Sequence, residues 1–188
     1  MLRSTTAVLA LAVALPALAL PSVAIAQQPA TSAAPAALAA LKADYLAAAT
    51  DVEQKLLALA EAIPEDKYGW RPADGVRSVG EVFLHVAGGN YYLVGMTGVT
   101  PPADVPKDIE KVTGKKAIRE WMEKSFAHVH AALAAATPET MSKEIDFFGN
   151  KTTGRGIFLA DYGHMSEHLG QAIAYARSIG VTPPWSKN

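Results

Sequence analysis

Leu38, Leu41, Tyr45, Ala48, Val52, Leu56, Leu59 and Ile63 recur at steps of three and four along one unbroken stretch of the chain. A stripe of that period is one face of a helix, and its length commits the chain to burying that face against other helices. Pro64 closes the pattern, and the loop PEDKYGWRPADGVR leads to a second start signal. There Ser78 followed by Glu81 forms a capping box worth about 1 kcal/mol at the cap, so the spacing predicts a helix from Ser78 to about Gly95 or Thr97. A third helix is expected over Lys115–Ala136, with Ile118, Met122, Ser125, Val129 and Ala132 on one stripe and Trp121, Phe126 and Leu133 beside it. The segment between them, GVTPPADVPKDIEKVTG, carries three prolines and reads as a loop over one end of the core. Residues 143–153, KEIDFFGNKTT, break the helical rhythm and suggest a short hairpin or extended turn around Gly149-Asn150. The last helix is expected from Thr153 or Gly154 to Ser178, ended by Gly180 and Pro183-Pro184. The pattern is all-α, a four-helix bundle with a short hairpin before its last helix, and no internal repeat is visible.

The first 26 residues carry a different signal. Arg3 supplies a positive start, the run from Ala7 to Leu20 is almost wholly apolar, and Ala24-Ile25-Ala26 precedes Gln27 as a small-x-small cleavage site. This reads as a signal peptide over 1–26, with a small, Pro-rich flexible leader over 27–35 and the bundle domain over 36–188. An uncleaved anchor is the alternative, disfavoured by Pro16 and Pro21 inside the apolar run. The expected location is therefore periplasmic or secreted, with no membrane attachment after cleavage. Loss of Arg3 moves the formal charge from −1 to −2, and no Lys/Arg cluster of the kind that grips nucleic acid is present. The chain has no cysteine, so a transition metal would have to be held by His, Asp or Glu.

Five histidines then become the residues to follow. In DYGHMSEHLGQ, residues 161–171, His164 and His168 stand four apart on one helical face, about 5–6 Å from each other. Continuing their stripe gives Ile157, Asp161, Gln171 and Tyr175, a polar strip on what should be an interior face. Unpaired groups there would each cost about 1–3 kcal/mol, so a shared network or a metal is expected. HMSEH also matches the HxxEH of inverzincin peptidases, but that site requires a further acidic ligand downstream, and no Asp or Glu follows Glu167. A third ligand must come from upstream. His85 lies on the inward stripe Val82, His85, Gly89, Tyr92 and Met96. His128 and His130 point about 200° apart on the third helix and cannot both face one ion; at least one of them should be solvated, and His128, nearer the core edge, is the weaker candidate for a ligand.

Trp70-Arg71-Pro72, then Ser78-Val79-Gly80-Glu81-Val82-Phe83-Leu84-His85, then His164-x-x-Glu167-His168-Leu169-Gly170-Gln171, then Tyr175 through Pro184-Trp185, in that order and at these separations, resemble the DinB-like family of bacterial proteins. The resemblance covers nearly all of the chain after residue 26. It implies an up-down-down-up bundle, dimeric assembly, and a divalent metal held by His85 from the second helix and His164 and His168 from the last. Three neutral imidazoles leave a coordination position open, as in catalytic zinc sites. Nitrogen-only ligation suits zinc, nickel, iron or copper, and the order of affinities does not choose among them; zinc or nickel is the expected ion, with iron next. Asp161, Glu167 and Gln171 are the nearest partners for the outer ring nitrogens, and Glu167 is the candidate catalytic base, or else a solvated charge about 100° around the helix from His168. Gly88-Gly89 costs about 1 kcal/mol per glycine in a helix, so close packing or room for a ligand is expected there. Tyr91, Tyr92, Tyr162 and Trp185 are candidates for the walls of such a pocket, or plain core. Relatives suggest a metal-dependent hydrolase or transferase acting on a small molecule. Thiol-dependent chemistry is disfavoured by the signal peptide. The alternative is a binding or stress-related module without turnover.

Overall fold

A computed structural model describes residues 33–186. The expected signal peptide and the first part of the leader lie outside the described residues; at the leader's end, residues 33–35 already belong to a helix. The elements are α1 (Ala33–Ala62), α2 (Val79–Gly95), α3 (Lys115–Ala135), α4 (Pro138–Ser142), β1 (Glu144–Phe147), β2 (Asn150–Thr153) and α5 (Gly154–Ser178). No helix among the described residues is long and apolar enough to cross a membrane.

The direction of each long helix follows from its end contacts. Lys115, opening α3, donates to the carbonyls of Glu61 and Ile63, where α1 finishes. The opening of α2 is tied to the same end, since Gly80 N–H donates to Tyr68 O and the Tyr68 hydroxyl reaches Ala60 O. Helices α2 and α3 therefore both start where α1 ends and run parallel. At the far end Lys42, early in α1, donates to Ala134 O near the close of α3, and Tyr45 meets Phe158 near the start of α5 edge-on at 5.7 Å. Helix α5 thus runs with α1, which completes the up-down-down-up order. The Pro-rich segment after α2 supplies the crossover, running back along α2 until Ile109 packs against Gly88.

The α1 stripe is buried from Val52 through Leu56, Leu59 and Ile63, and only partly so at Leu38, Leu41 and Tyr45. The capping box forms as the sequence predicts, with Ser78 N–H donating to Glu81 at 2.6 Å and Glu81 N–H to Ser78 Oγ at 3.3 Å. The hairpin also forms, but one residue earlier than expected. Its two turn residues are Phe148 and Gly149, with φ of 53° and 82°, and Phe147 pairs with Asn150. Two positive φ values are what a type I′ turn demands. The short α4 was not foreseen; Pro138 opens it, and Thr137 caps it by accepting from Thr140 N–H.

The core contains two buried carboxylates. Asp161 is fully buried and accepts from the Tyr45 hydroxyl at 2.6 Å, while Asn90, also fully buried, faces its second oxygen at 3.2 Å. Glu53 pairs with His130 Nε2 at 2.9 Å. Burial pushes the Asp161 carboxyl up to about 7, against the opposing Tyr45 hydrogen bond, and burial also raises Glu53.

Because the folded Asp161 holds a proton that the unfolded chain releases near pH 4, its cost to stability is absent below that pH, grows as pH rises, and levels above about 7. Asp161→Asn keeps an acceptor for Tyr45 and removes the ionisation. Relative to wild type, this variant should gain stability by on the order of 2–4 kcal/mol between pH 4 and pH 8. Denaturant midpoints across that range read this directly, and a flat difference between the two proteins would refute it.

Candidate metal centre

His85 is carried on α2, whose start is pinned by the capping box, and His164 and His168 on one face of α5. One ring nitrogen from each lies within 4.8 Å of the other two. Ring centroids are 5.0 Å apart for His85 and His164, 4.7 Å for His85 and His168, and 4.5 Å for His164 and His168. The Nε2 atoms of His85 and His164 are 3.3 Å apart. Two nitrogens bound to one tetrahedral zinc at 2.0–2.1 Å would sit about 3.4 Å apart, so this spacing fits an ion as well as a hydrogen bond.

Two of the rings are oriented by partners on their outer nitrogens. His85 Nδ1 donates to Glu110 at 2.8 Å, and Glu110 is held in turn by Arg77 through Nε at 2.8 Å and Nη2 at 3.2 Å. His168 Nδ1 donates to Gln171 Oε1 at 2.8 Å, and the Gln171 amide donates to the Tyr175 hydroxyl at 3.1 Å. Tyr175 packs edge-on against Trp70 at 5.4 Å. With both Nδ1 atoms protonated, both Nε2 lone pairs face inward, which is the tautomer metal ligation requires. His164 Nδ1 is buried and has no partner. Burial, then the neighbouring His168 and His85, push its pKa down to about 4, and burial also lowers His85 despite Glu110. Rings that resist protonation are neutral at ordinary pH, the form that binds metal. Without an ion, His164 Nε2–H can donate to the His85 Nε2 lone pair, so the donor set accepts either a proton or a cation at this point.

The two glycines have separate reasons. A Cβ on Gly89 would lie 2.2 Å from His164 Cε1 and 2.7 Å from its Nδ1, whereas one on Gly88 would press Ile109 Cγ2 at 3.0 Å. Gly89 makes room for the imidazole, and Gly88 seats the crossover that delivers Glu110. Beside the triad opens a cavity of about 680 Å³, lined among others by His85, His164, Tyr92, Phe147, Phe148 and Glu167. Of the aromatics considered from sequence, Tyr92 reaches this cavity; Tyr91 is buried against His128 at 5.2 Å, and Tyr162 lines a different cavity. Trp185 and Tyr162 are not among this cavity's walls. Glu167 stands exposed on its wall.

His128 and His130 lie apart from the triad. Contrary to expectation neither is fully solvated: His130 pairs with buried Glu53, and His128 keeps a buried Nε2 without a partner. Asp161 serves Tyr45 rather than a ring of the triad, so of the three expected outer partners Gln171 alone is hydrogen-bonded to a triad imidazole. Glu110 was missed by sequence reasoning. Its only signal was an acidic residue directly after Ile109, in a segment otherwise read as a loop.

A family model described as the DinB superfamily matches residues 48–172. The uncharacterized protein YjoA of Bacillus subtilis strain 168 is 27% identical over 129 residues, covering 66% of this chain and 81% of that protein. Among solved structures, a DinB-like protein from Bacillus cereus ATCC 10987 superposes with a TM-score of 0.65 at 19% identity, over 74% of this chain and 93% of that one. The YjoA structure gives 0.54 at 22% identity, over 76% and 93%. At these identities the two structures speak to the fold alone.

Two substitutions test the geometry. Gly89→Ala raises intrinsic helix propensity by about 1 kcal/mol yet drives a methyl into His164, so it should weaken zinc binding by about tenfold or more with helicity retained. Gly163→Ala, where a Cβ meets nothing within 4 Å, is the control and should be neutral or stabilising. Glu110→Gln should weaken zinc by about 10- to 100-fold, the range for loss of a charged outer partner. Competition titration with a chromophoric chelator measures all three; equal affinity across the set would refute the assignment.

Proposed function

The chain belongs to the DinB superfamily, and we propose that it uses this bundle to hold one divalent metal ion on His85, His164 and His168, exported to the periplasm or beyond, as a hydrolase or transferase acting on a small molecule. The observation that carries the reading is the pair of Nε2 lone pairs turned inward by Glu110 and Gln171, with the third ring pressed beside them by the gap at Gly89. When bound, an ion with three imidazole ligands supplies Lewis acidity and a lowered pKa for bound water. The nitrogen donors suit zinc, nickel, iron and copper alike, and of these zinc or nickel is the ion proposed, with iron next.

The chain's own residues do the rest. Arg77 and Glu110 hold His85 in one tautomer, and Gln171 does the same for His168. Tyr92, Phe147 and Phe148 line the cavity beside the triad, and the Glu167 carboxylate, one turn from His164 on the α5 side of the same cavity, is placed to take a proton from a bound molecule. Export rests on the apolar run and small-residue cleavage site of residues 1–26, and a homodimer on the family resemblance. A binding module without turnover is the second reading, favoured by Glu167, which no hydrogen bond holds in place among the described residues.

The chain purified without chelators should carry one transition-metal ion per protomer by elemental analysis, and His85→Ala and His164→Ala should each lose it. Wild-type protein that neither retains nor takes up zinc, nickel or iron would defeat the proposal.

A further inference from the structure

The cavity beside the triad is a slot with a polar end and an apolar end. Helices α2 and α5 run in opposite directions, so its two long sides leave the histidines together. One side follows His85, Gly88 and Tyr92 along α2, and the other follows His164, Gly163 and Ala160 back along α5. Glu110, bonded to His85, and Glu167, one turn beyond His164, mark the polar end. Seven residues at 1.5 Å each put Tyr92 about 10 Å from His85 along the helix axis. There Phe148 stacks over Tyr92 with ring centroids 6.1 Å apart and planes 25° from parallel, and the two residues are still 70% and 57% exposed.

The glycines of the two sides differ in what they are for. A Cβ on Gly88 or Gly89 would press Ile109 or His164, so packing within the fold accounts for both. A Cβ on Gly163 would meet nothing within 4 Å. Packing therefore does not call for glycine at 163, although glycine costs about 1 kcal/mol in a helix relative to alanine. What its absent side chain leaves open is the slot.

Resting on the reading of the triad as a metal centre, we infer that the slot takes an arylalkyl molecule. A donor atom at its head (O, N or S) meets the ion, an alkyl chain crosses Gly163 and Ala160, and an aromatic ring lies against Tyr92 and Phe148. Gly163 is the residue that sets how wide a body can pass. A few polar groups at one end of an apolar cleft fix orientation, while the apolar walls supply contact area, and aromatic walls suit an aromatic guest. The Glu167 carboxylate then stands at the head of the molecule, where the proposed proton removal is needed, and not beside its body.

Hydroxamates with one head and graded bodies test this on zinc-loaded protein by calorimetry. The 3-phenylpropanoyl compound should bind about 10- to 100-fold more tightly than the acetyl one, the effect of burying one phenyl ring. The benzoyl compound, whose ring stops short of Tyr92, should fall between them. Gly163→Leu should erase the gain of the long body, while affinity for acetohydroxamate and for zinc stays at the wild-type value, which also reports that the variant is folded. Phe148→Ala should weaken the long compound severalfold and leave acetohydroxamate unchanged. On chelator-treated protein, saturation-transfer NMR should show transfer to the ring of 3-phenylpropan-1-ol, lost in Gly163→Leu. This second measurement needs no ion, so transfer that behaves as expected in a protein that takes up no zinc supports the slot and defeats only the metal reading. Equal affinity for short and long hydroxamates, a gain or transfer that survives Gly163→Leu, or no transfer to the wild type overturns the inference.

Discussion

Helices α2 and α5 approach each other so closely at Gly89 that an imidazole occupies the space where a side chain would stand. The distance of 2.2 Å from a hypothetical Cβ to His164 Cε1 leaves no alternative to glycine without moving the ring. That contact sets His164 against His85, so the relative register of the two helices and the assembly of the triad are one constraint. Everything that fixes α2 along its axis therefore also fixes the site: the Ser78–Glu81 cap, the backbone tie to Tyr68, and Ile109 seated on Gly88. The helix-propensity cost of two adjacent glycines, about 2 kcal/mol in sum, is accepted where it permits this approach.

The same helix α5 carries a run of polar groups into the interior, and each finds its partner on a different element. Asp161 meets Tyr45 of α1, His164 meets His85 of α2, and His168 meets Gln171 within α5 itself. Slipping α5 by one turn would leave Asp161 and His164 unpaired, at a cost of about 1–3 kcal/mol each, and carry His168 away from His85, whereas the apolar neighbours Met165, Leu169 and Ala172 would tolerate such a shift far better. The polar strip thus supplies a register that hydrophobic burial alone does not, and it is what aligns the two α5 histidines with the third.

How far this was legible in the chain follows the same division. Apolar period, caps and terminators revealed α2, α3 and α5 to within a residue or two, because each signal is local, whereas α1 opens at Ala33, inside the small-residue stretch read as a flexible leader. His164 and His168 were visible as an i, i+4 pair for the same reason. His85 was one of several candidates on periodicity and was singled out only by the family resemblance, since its distance from α5 is a property of packing. Glu110 was hidden for a stronger reason. It lies in an irregular loop, where no period links sequence position to direction, and it reaches His85 because Ile109 docks on a glycine. The Glu53–His130 pair was hidden likewise, as a carboxylate beside a hydrophobic stripe gives no sign of being inside.

The hairpin shows where local rules and tertiary need part. An Asn-Gly or Gly-Gly pair is the easy filling for a type I′ turn, and Gly149-Asn150 invited placing the turn there. The fold instead uses Phe148-Gly149, which costs roughly 1–2 kcal/mol for a phenylalanine in the left-handed region. A turn one residue later would invert the alternation of the strands. Ile145 and Phe147, now packed beside Leu93 and Ile157, would then face the other way, and burying two such side chains outweighs the strain at about 1.5–3 kcal/mol each. The turn is therefore dictated by the two residues that anchor the hairpin, and its strained second aromatic, Phe148, is left lining the cavity beside the histidines.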